Sequence, residues 1–325
     1  MTSEVTAVAT ARRPESTGGS APSGAAHRRR RRNPTPYALL TPTLVLLALL
    51  FAVPAVYNVW LALHEVTPYD ALGDGDFVAG KNFASVLTSP QLWLSARNTV
   101  LWLTLATVLL RLIFGLGLAV LLQQAVLRRI RILGVARTII LLPWMIPPTV
   151  AVAAWQWLLD GRTGLVNKVL LQLGVIDQGI AFFGELSTVW PSIAAVMVWR
   201  ELPFVVISLM AGLQAIPSDQ YEAAALDGAT AWRAFWYVTL PNLRPVIAVV
   251  GLMITIGAFN NFIYVWLTTG GGPGTFTQVL ATQLYSTAFV DNQLGKGAAI
   301  GLVMSAVMLI FAVIYLTATT RRNDE

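Results

Sequence analysis

The chain contains no cysteine and only two histidines, His27 and His64. That excludes a disulfide framework, a thiolate nucleophile and any Cys-ligated metal, and neither histidine has a ligand pattern nearby. Charge is scarce as well. Of the 325 residues 12% are charged and 56% are hydrophobic, whereas soluble domains carry about 25% charge and about 45–50% apolar residues. A water-soluble fold of this length would have too little polar surface to cover itself. A bilayer is the natural solvent for the excess, and the mean hydropathy of +0.65 agrees. No G-x-x-x-x-G-K-[ST] occurs, so no P-loop can cradle ATP. The glycine-rich stretch 270–274 lacks both the lysine and the following helix. Ser/His/Asp sets, paired catalytic carboxylates and metal spacings are missing too, so the chain is read as a non-enzyme. The net charge of +6 is carried by residues at the ends of apolar segments. It is read as a topology signal and not as a nucleic-acid footprint.

What is present is a series of long apolar runs. Residues 1–33 are rich in Ala, Ser, Thr, Gly, Pro and Arg without hydrophobic periodicity, which predicts a disordered basic tail. The remainder, 34–325, reads as one all-α membrane domain with six transmembrane helices, at about 37–63, 98–122, 135–159, 188–213, 245–268 and 297–318. The run Arg28 to Arg32 before the first apolar stretch resembles the front of a signal peptide. The stretch Leu39 to Leu63 is far longer than an h-region and long enough to span, so it is taken as an uncleaved first span. Proline is expected to break the third span at Pro143, Pro147 and Pro148, and the fourth at Pro191 and Pro203.

Arg and Lys set the orientation. With the N-terminus inside, the inner segments hold Arg12, Arg13, Arg28 to Arg32, Arg128, Arg129, Arg131, Arg137, Arg233, Arg244, Arg321 and Arg322. The outer segments hold Lys81, Arg162, Lys168 and Lys296, with Arg97 at a boundary, against the acids Glu65, Asp70, Asp74, Asp76, Asp160, Asp177, Glu185 and Asp291. Both termini are therefore expected in the cytoplasm of a cell-membrane protein.

The longest inner loop, 214–244, contains IPSDQYEAAALDGATAWRAFWYVTLPNLRP from Ile216. Pro217 stops the preceding helix, and Ser218 is expected to cap the next one. Asp219 and Glu222 are placed in its first turn, where the helix dipole favours negative charge. The helix runs through Ala223, Ala224, Ala225 and Leu226, and Gly228 stands where a helix C-terminus wants glycine. Thr230 then caps a second short helix from Ala231 to about Val238, and Pro241 and Pro245 break the chain before span five. The small alanines admit close approach by another protein's backbone. A surface connector resting on the bilayer is the blander reading of the same residues.

Glu222-Ala223-Ala224, then Asp227-Gly228-Ala229, then Leu240-Pro241 resemble the EAA loop of bacterial ABC importer permeases. The resemblance covers nearly the whole chain after the tail. It includes Phe77 to Leu87, the prolines from Leu142 to Pro148, Trp199 to Phe204, Gln214 to Pro217, and Asn260-Asn261-Phe262 with Leu267 to Pro273. It is similar to the carbohydrate-uptake branch, and to the subunit grouped with the maltose- and glycerol-phosphate-type first permeases. It implies a type I importer fold with a cytoplasmic coupling helix between spans four and five that docks on a separate ABC ATPase dimer, where ATP and Mg are bound. It also implies an extracytoplasmic solute-binding protein and a second permease, since the companion subunit usually lacks the GGGP loop. Two departures stand out: loop one is short, and the family's contact position in span three falls near Pro148, which has no side-chain donor.

Polar groups inside a span are costly and point to function. Arg200 and Glu201 lie mid-way along span four. Neighbouring residues point some 100° apart on a helix, so the two are not expected to face one partner. Internal ion pairing remains the alternative. Asn260 and Asn261 in span five are either amide donors and acceptors for solute hydroxyls or interhelical glue. By resemblance, Glu201, Phe204 and Asn261, with Asn260 beside them, are the candidates for the substrate path. Arg111, in the middle of span two, is expected to face the partner subunit. Trp93, Trp102, Trp155, Trp157, Trp190 and Trp199 are read mainly as an interfacial aromatic belt. A single-chain secondary transporter would want several intramembrane acids as relays, yet Glu201 is the only mid-span acid. A membrane-embedded enzyme would want clustered acids or histidines, and there are none.

Overall fold

The computed structural model describes residues 35–70, 75–123 and 133–320. The tail 1–33, the arginines at 28–32, 128, 129, 131, 321 and 322, and Asp74 lie outside the described residues. The chain divides into two compact units, 1–52 and 53–325. In the first, a helix Thr35–Leu47 passes into a π turn at Ala48–Ala52, and its side chains from Leu39 onward are all exposed.

Among the described residues five helices are long and apolar enough to cross a membrane, and a bent helix pair makes a sixth crossing if counted as one. The straight ones are Leu39–Ala62, Pro90–Gln123, Val189–Gln214, Ala231–Phe259 and Leu294–Tyr315. Large apolar side chains such as Phe51, Ile113, Leu309 and Ile314 stand more than half exposed on them, as surfaces facing lipid should. Beyond the helices, the described residues hold one two-residue antiparallel ladder, His64–Glu65 with Asp76–Phe77. It follows span one, and buried Asn82 secures it by donating to the carbonyls of Ala62 and His64. That bond gives the asparagine of the Phe77 to Leu87 segment its structural use.

Proline acts as expected in one span and differently in two. Span three is broken as expected, into Thr138–Met145 and Pro148–Leu158 at 101°, with Pro147 extended at the junction. Span four is not broken. Val189–Gln214 is one helix that contains both Pro191 and Pro203. Pro191 is its third residue, where the N–H has no intrahelical acceptor to lose. Around Pro203, burial against neighbouring helices holds the helix together. Span five is continuous where a break was expected and broken where continuity was expected. Ala231–Ala234 runs through a π turn at Phe235–Thr239 into Leu240–Phe259. The wider turn directly before Pro241 relieves the crowding that proline imposes on the preceding turn. The helix then stops at Asn260 and restarts as Ile263–Thr269. Asn side chains cover the exposed backbone at that gap: Asn260 Nδ2 donates to the Ile256 carbonyl and Asn261 Oδ1 accepts from the Tyr264 N–H.

Span two begins earlier than its hydropathy indicates, at Pro90. The polar residues that hid its start are consumed internally. Buried Asn98 donates to the carbonyls of Phe276 and Gln278, and Thr99 Oγ accepts from the Leu280 N–H. The core lies between spans two, four and five, around Leu103, Ile193, Met197, Val205, Leu209 and Leu243. Spans two and four approach closely at Gly115, where a Cβ would sit 2.6 Å from Val205 Cγ1. Trp190 is a correction to the belt reading. It is 4% exposed and stacks on Trp102, because its position in the first turn of span four points into this core.

Candidate functional site

Two regions carry the candidate residues. The first is the loop 214–244. Its helix spans Ser218–Leu226, and its N-cap position is Pro217, not Ser218. Pro217 already has the extended backbone of a cap (φ −59°, ψ 137°), so Ser218 is the first helical residue and its hydroxyl does not cap. Glu222 is consequently in the second turn, and Asp219 is the one acid in the first. The C-terminal end follows the sequence reading closely. Gly228 has φ +75°, its N–H donates to the Ala225 carbonyl, and the Ala229 N–H donates to the Ala224 carbonyl. Those two bonds form the Schellman closure. Asp227 sits in the half-turn between. Thr230 accepts the Arg233 N–H and starts the next helix.

Side chains then fasten this short helix to the base of span five. The Tyr221 phenol bonds the Thr239 hydroxyl at 3.0 Å, and Asn242 donates to Gln220 at 2.7 Å. Ala224, Ala229, Leu240 and Pro241 are half-buried in the joint, while Glu222, Ala223 and Gly228 are exposed. The sequence reading passed over the apolar residues that the loop displays. Leu226 is 90% exposed and Tyr237 80% exposed. Trp232 packs edge-on against Trp236. A leucine at the end of a helix otherwise made of alanine and polar residues was the available signal.

The second region is a charged cluster inside the membrane domain. Arg111 does not face outward to a partner. It is 1% exposed, and its Nη1 lies 2.6 Å from Glu201 Oε2. Its remaining N–H groups go to Thr107, at the carbonyl and hydroxyl, and towards the Ile254 carbonyl. An intramembrane arginine requires such a partner, and the single mid-span acid supplies it. The Tyr264 hydroxyl donates to Glu201 Oε1 at 3.0 Å. Arg200 also reaches that hydroxyl, at 3.5 Å, so Arg200 and Glu201 do share a partner. The flexibility of the arginine side chain overcomes the 100° offset. The Arg200 Nε donates to the Ile146 carbonyl at 2.9 Å, at the break in span three. Helix ends leave carbonyls without partners there, and a cation stabilises the negative end of the helix dipole.

Of the predicted path residues, Glu201 and Asn261 meet through Tyr264, which bonds one by its hydroxyl and the other by its backbone N–H. Phe204 lies one helical turn from Glu201, half-buried, with its ring 6.2 Å from that of Trp144. Asn260 is not drawn in; it is exposed and turns back on its own helix. Tyr264, buried at 1% exposure, was missed because an aromatic in an apolar run carries no sign of its hydroxyl's partner.

Apolar helices interrupted mid-span around a charged, hydrogen-bonded cluster define a polytopic membrane transport protein. Comparison with known proteins makes this specific. The chain belongs to the family described as binding-protein-dependent transport system inner membrane component, which matches residues 112–322. It is similar to a probable ABC transporter permease of Brucella suis, 35% identical over 290 residues that make up 89% of this chain and 98% of that one. The trehalose/maltose transport system permease protein of Thermococcus litoralis is 32% identical, over 89% of this chain and 94% of its own length. A diacetylchitobiose uptake system permease of Streptomyces coelicolor is 30% identical, over 89% and 88% respectively. Among solved structures, a bacterial ABC transporter that imports the acidic polysaccharide alginate superposes with a TM-score of 0.72 at 23% identity, over 88% of this chain and 95% of that one. The chain is thus a multi-pass inner-membrane permease, a transport subunit of a type I importer.

Proposed function

We propose that this permease forms half of a heterodimeric, ATP-driven importer for a sugar or sugar-like solute. The loop Ser218–Pro241 is its contact with a separate ATPase dimer, which holds ATP and Mg. An extracytoplasmic binding protein delivers the solute, and both termini of the permease face the cytoplasm. The observation that carries the coupling assignment is the closed Ala224–Gly228–Ala229 helix end. It fixes a short helix that displays Leu226 at 90% exposure beside Glu222. An exposed leucine on a rigid, small-residue helix is stabilised by burial in a partner's apolar cleft. Sugar as the solute class is favoured by relatives named for trehalose/maltose and diacetylchitobiose, and by an interior cluster that offers the Glu201 carboxylate and the Asn261 amide.

The test is co-purification of an ATPase with the tagged permease and its companion, followed by uptake of radiolabelled mono- and disaccharides into proteoliposomes. Sugar uptake that needs both ATP and a binding protein is expected. A permease that moves sugar alone, driven by an ion gradient, overturns the reading.

A further inference from the structure

Arg111 has no role in docking or in the solute contacts above, yet among the described residues it is the largest fully buried side chain. Its guanidinium touches groups from three spans: Thr107 on its own helix, Glu201 on span four and the Ile254 carbonyl on span five. Glu201 itself is not sealed in. Its side chain remains 24% exposed, against 1% for Arg111. An ionised carboxylate facing lipid would be prohibitively costly, so the open edge of Glu201 faces a wet space. In a permease that space is the pathway shared with the second subunit.

We propose that Arg111 is a positioning residue for solute recognition: it holds Glu201 so that the open edge of the carboxylate accepts hydrogen bonds from solute hydroxyls. The proposal rests on the importer reading and on Glu201 lining the path.

The geometry carries it in three steps. A carboxylate has about four acceptor sites. Arg111 occupies one on Oε2, and the Tyr264 hydroxyl occupies one on Oε1, with the Arg200 Nη1 4.0 Å from that oxygen; acceptor sites remain on both oxygens. The two donors come from different helices and hold the carboxylate plane from both ends. Free rotation about the last bond of Glu201, which would scatter those acceptors, is thereby removed. Arg111 in turn cannot drift, because Thr107 receives its Nε through the carbonyl and an Nη through the hydroxyl. An oriented, acceptor-only group suits a polyhydroxylated solute, whose hydroxyls donate to it.

Charge compensation alone would give Arg111 the same contacts, so the experiment must separate the two. Removing only Arg111 leaves the carboxylate with just the more distant Arg200, 4.0 Å from Oε1, whereas removing both charges relieves it. The variants are therefore Arg111→Met, Glu201→Gln, the double Arg111→Met/Glu201→Gln, and Arg111→Lys. Each is assembled with its companion permease, ATPase and binding protein in proteoliposomes, and the initial rate of uptake is followed against binding-protein concentration with a panel of radiolabelled mono- and disaccharides. The double variant is expected to reach the membrane and hold its ATPase at parental levels, while its half-saturating concentration rises at least tenfold. Arg111→Met alone should lose assembly as well. Arg111→Lys, which keeps the charge but not the fork, should assemble and show an intermediate rise. Arg111→Lys with parental half-saturation would show that Arg111 merely neutralises Glu201, and would overturn the proposal. Parental half-saturation in Glu201→Gln would remove Glu201 from the path and the proposal with it, leaving the importer reading intact. A parent complex that takes up no sugar would sink the sugar reading itself.

Discussion

The Ala229 N–H donates to the Ala224 carbonyl at 2.9 Å, spanning the left-handed Gly228 between them. Three of the residues that mark this loop in the sequence thus serve one local purpose, which is to end a helix at a fixed angle. A Cβ at Gly228 meets nothing within 4 Å, so any cost of substitution comes from its φ and not from crowding. Gly228→Val should cost about 1–2 kcal/mol of the turn, and Gly228→Asn much less, since asparagine tolerates this region. The valine variant is expected in the membrane at parental levels but without bound ATPase, and the asparagine variant should keep it. Co-purification of the ATPase decides; equal retention by both would make the turn irrelevant to docking.

Leu226 provides a second test. Its side chain is nearly free in the isolated subunit, so replacing it cannot unfold the permease. Full burial of a leucine against a partner stabilises by about 1.5–3 kcal/mol. Leu226→Ala is therefore expected to weaken ATPase binding by roughly tenfold or more, measured by titrating purified ATPase onto the permease pair in nanodiscs. Unchanged affinity would place the contact elsewhere on the loop.

Asn261 has two possible duties, and they can be told apart. Its Oδ1 accepts the Tyr264 N–H at the restart of span five, a capping interaction whose loss costs about 1 kcal/mol. Asn261→Asp keeps that acceptor and removes the amide donors; Asn261→Leu removes both. If the amide touches solute, both variants raise the half-saturating concentration for uptake, and this is the expected result. Full activity in the aspartate variant would confine Asn261 to capping.

Topology follows from the distribution of arginine. Reporter fusions after Ser187 and after Gly272 should read external, and one after Gly228 internal. Deleting residues 1–25 while retaining Arg28 to Arg32 should leave insertion and transport at parental levels. An external signal at Gly228 would be incompatible with an ATPase contact there.

Composition and hydropathy made the membrane class legible, and the inner loop was legible to the residue at Gly228, because a left-handed helix end leaves few choices but glycine. Proline was misread in spans four and five for one physical reason. Its effect depends on whether the displaced N–H had an acceptor and whether the preceding turn can widen, and neither property is local to the proline. The start of span two was hidden because Asn98 and Thr99 look polar until the loop near residues 276–280 arrives to bond them. Arg111 was placed facing outward, although the scarcity of mid-span acids already left Glu201 as its one available counter-ion. Pairing residues 90 positions apart takes tertiary structure to see, but the need for a pair could be argued from charge alone.

The π turn that carries the chain past Pro241 has a mechanical meaning. Because the helix does not stop there, Ala231 and Phe259 are the two ends of a single 29-residue strut, about 43 Å long at 1.5 Å per residue. One end begins three residues after Gly228, and the other stops where Asn260 and Asn261 open the backbone. A tilt imposed on the loop at the inner face is therefore carried along continuous helix to the gap in span five, which opens beside the residues that bond Glu201.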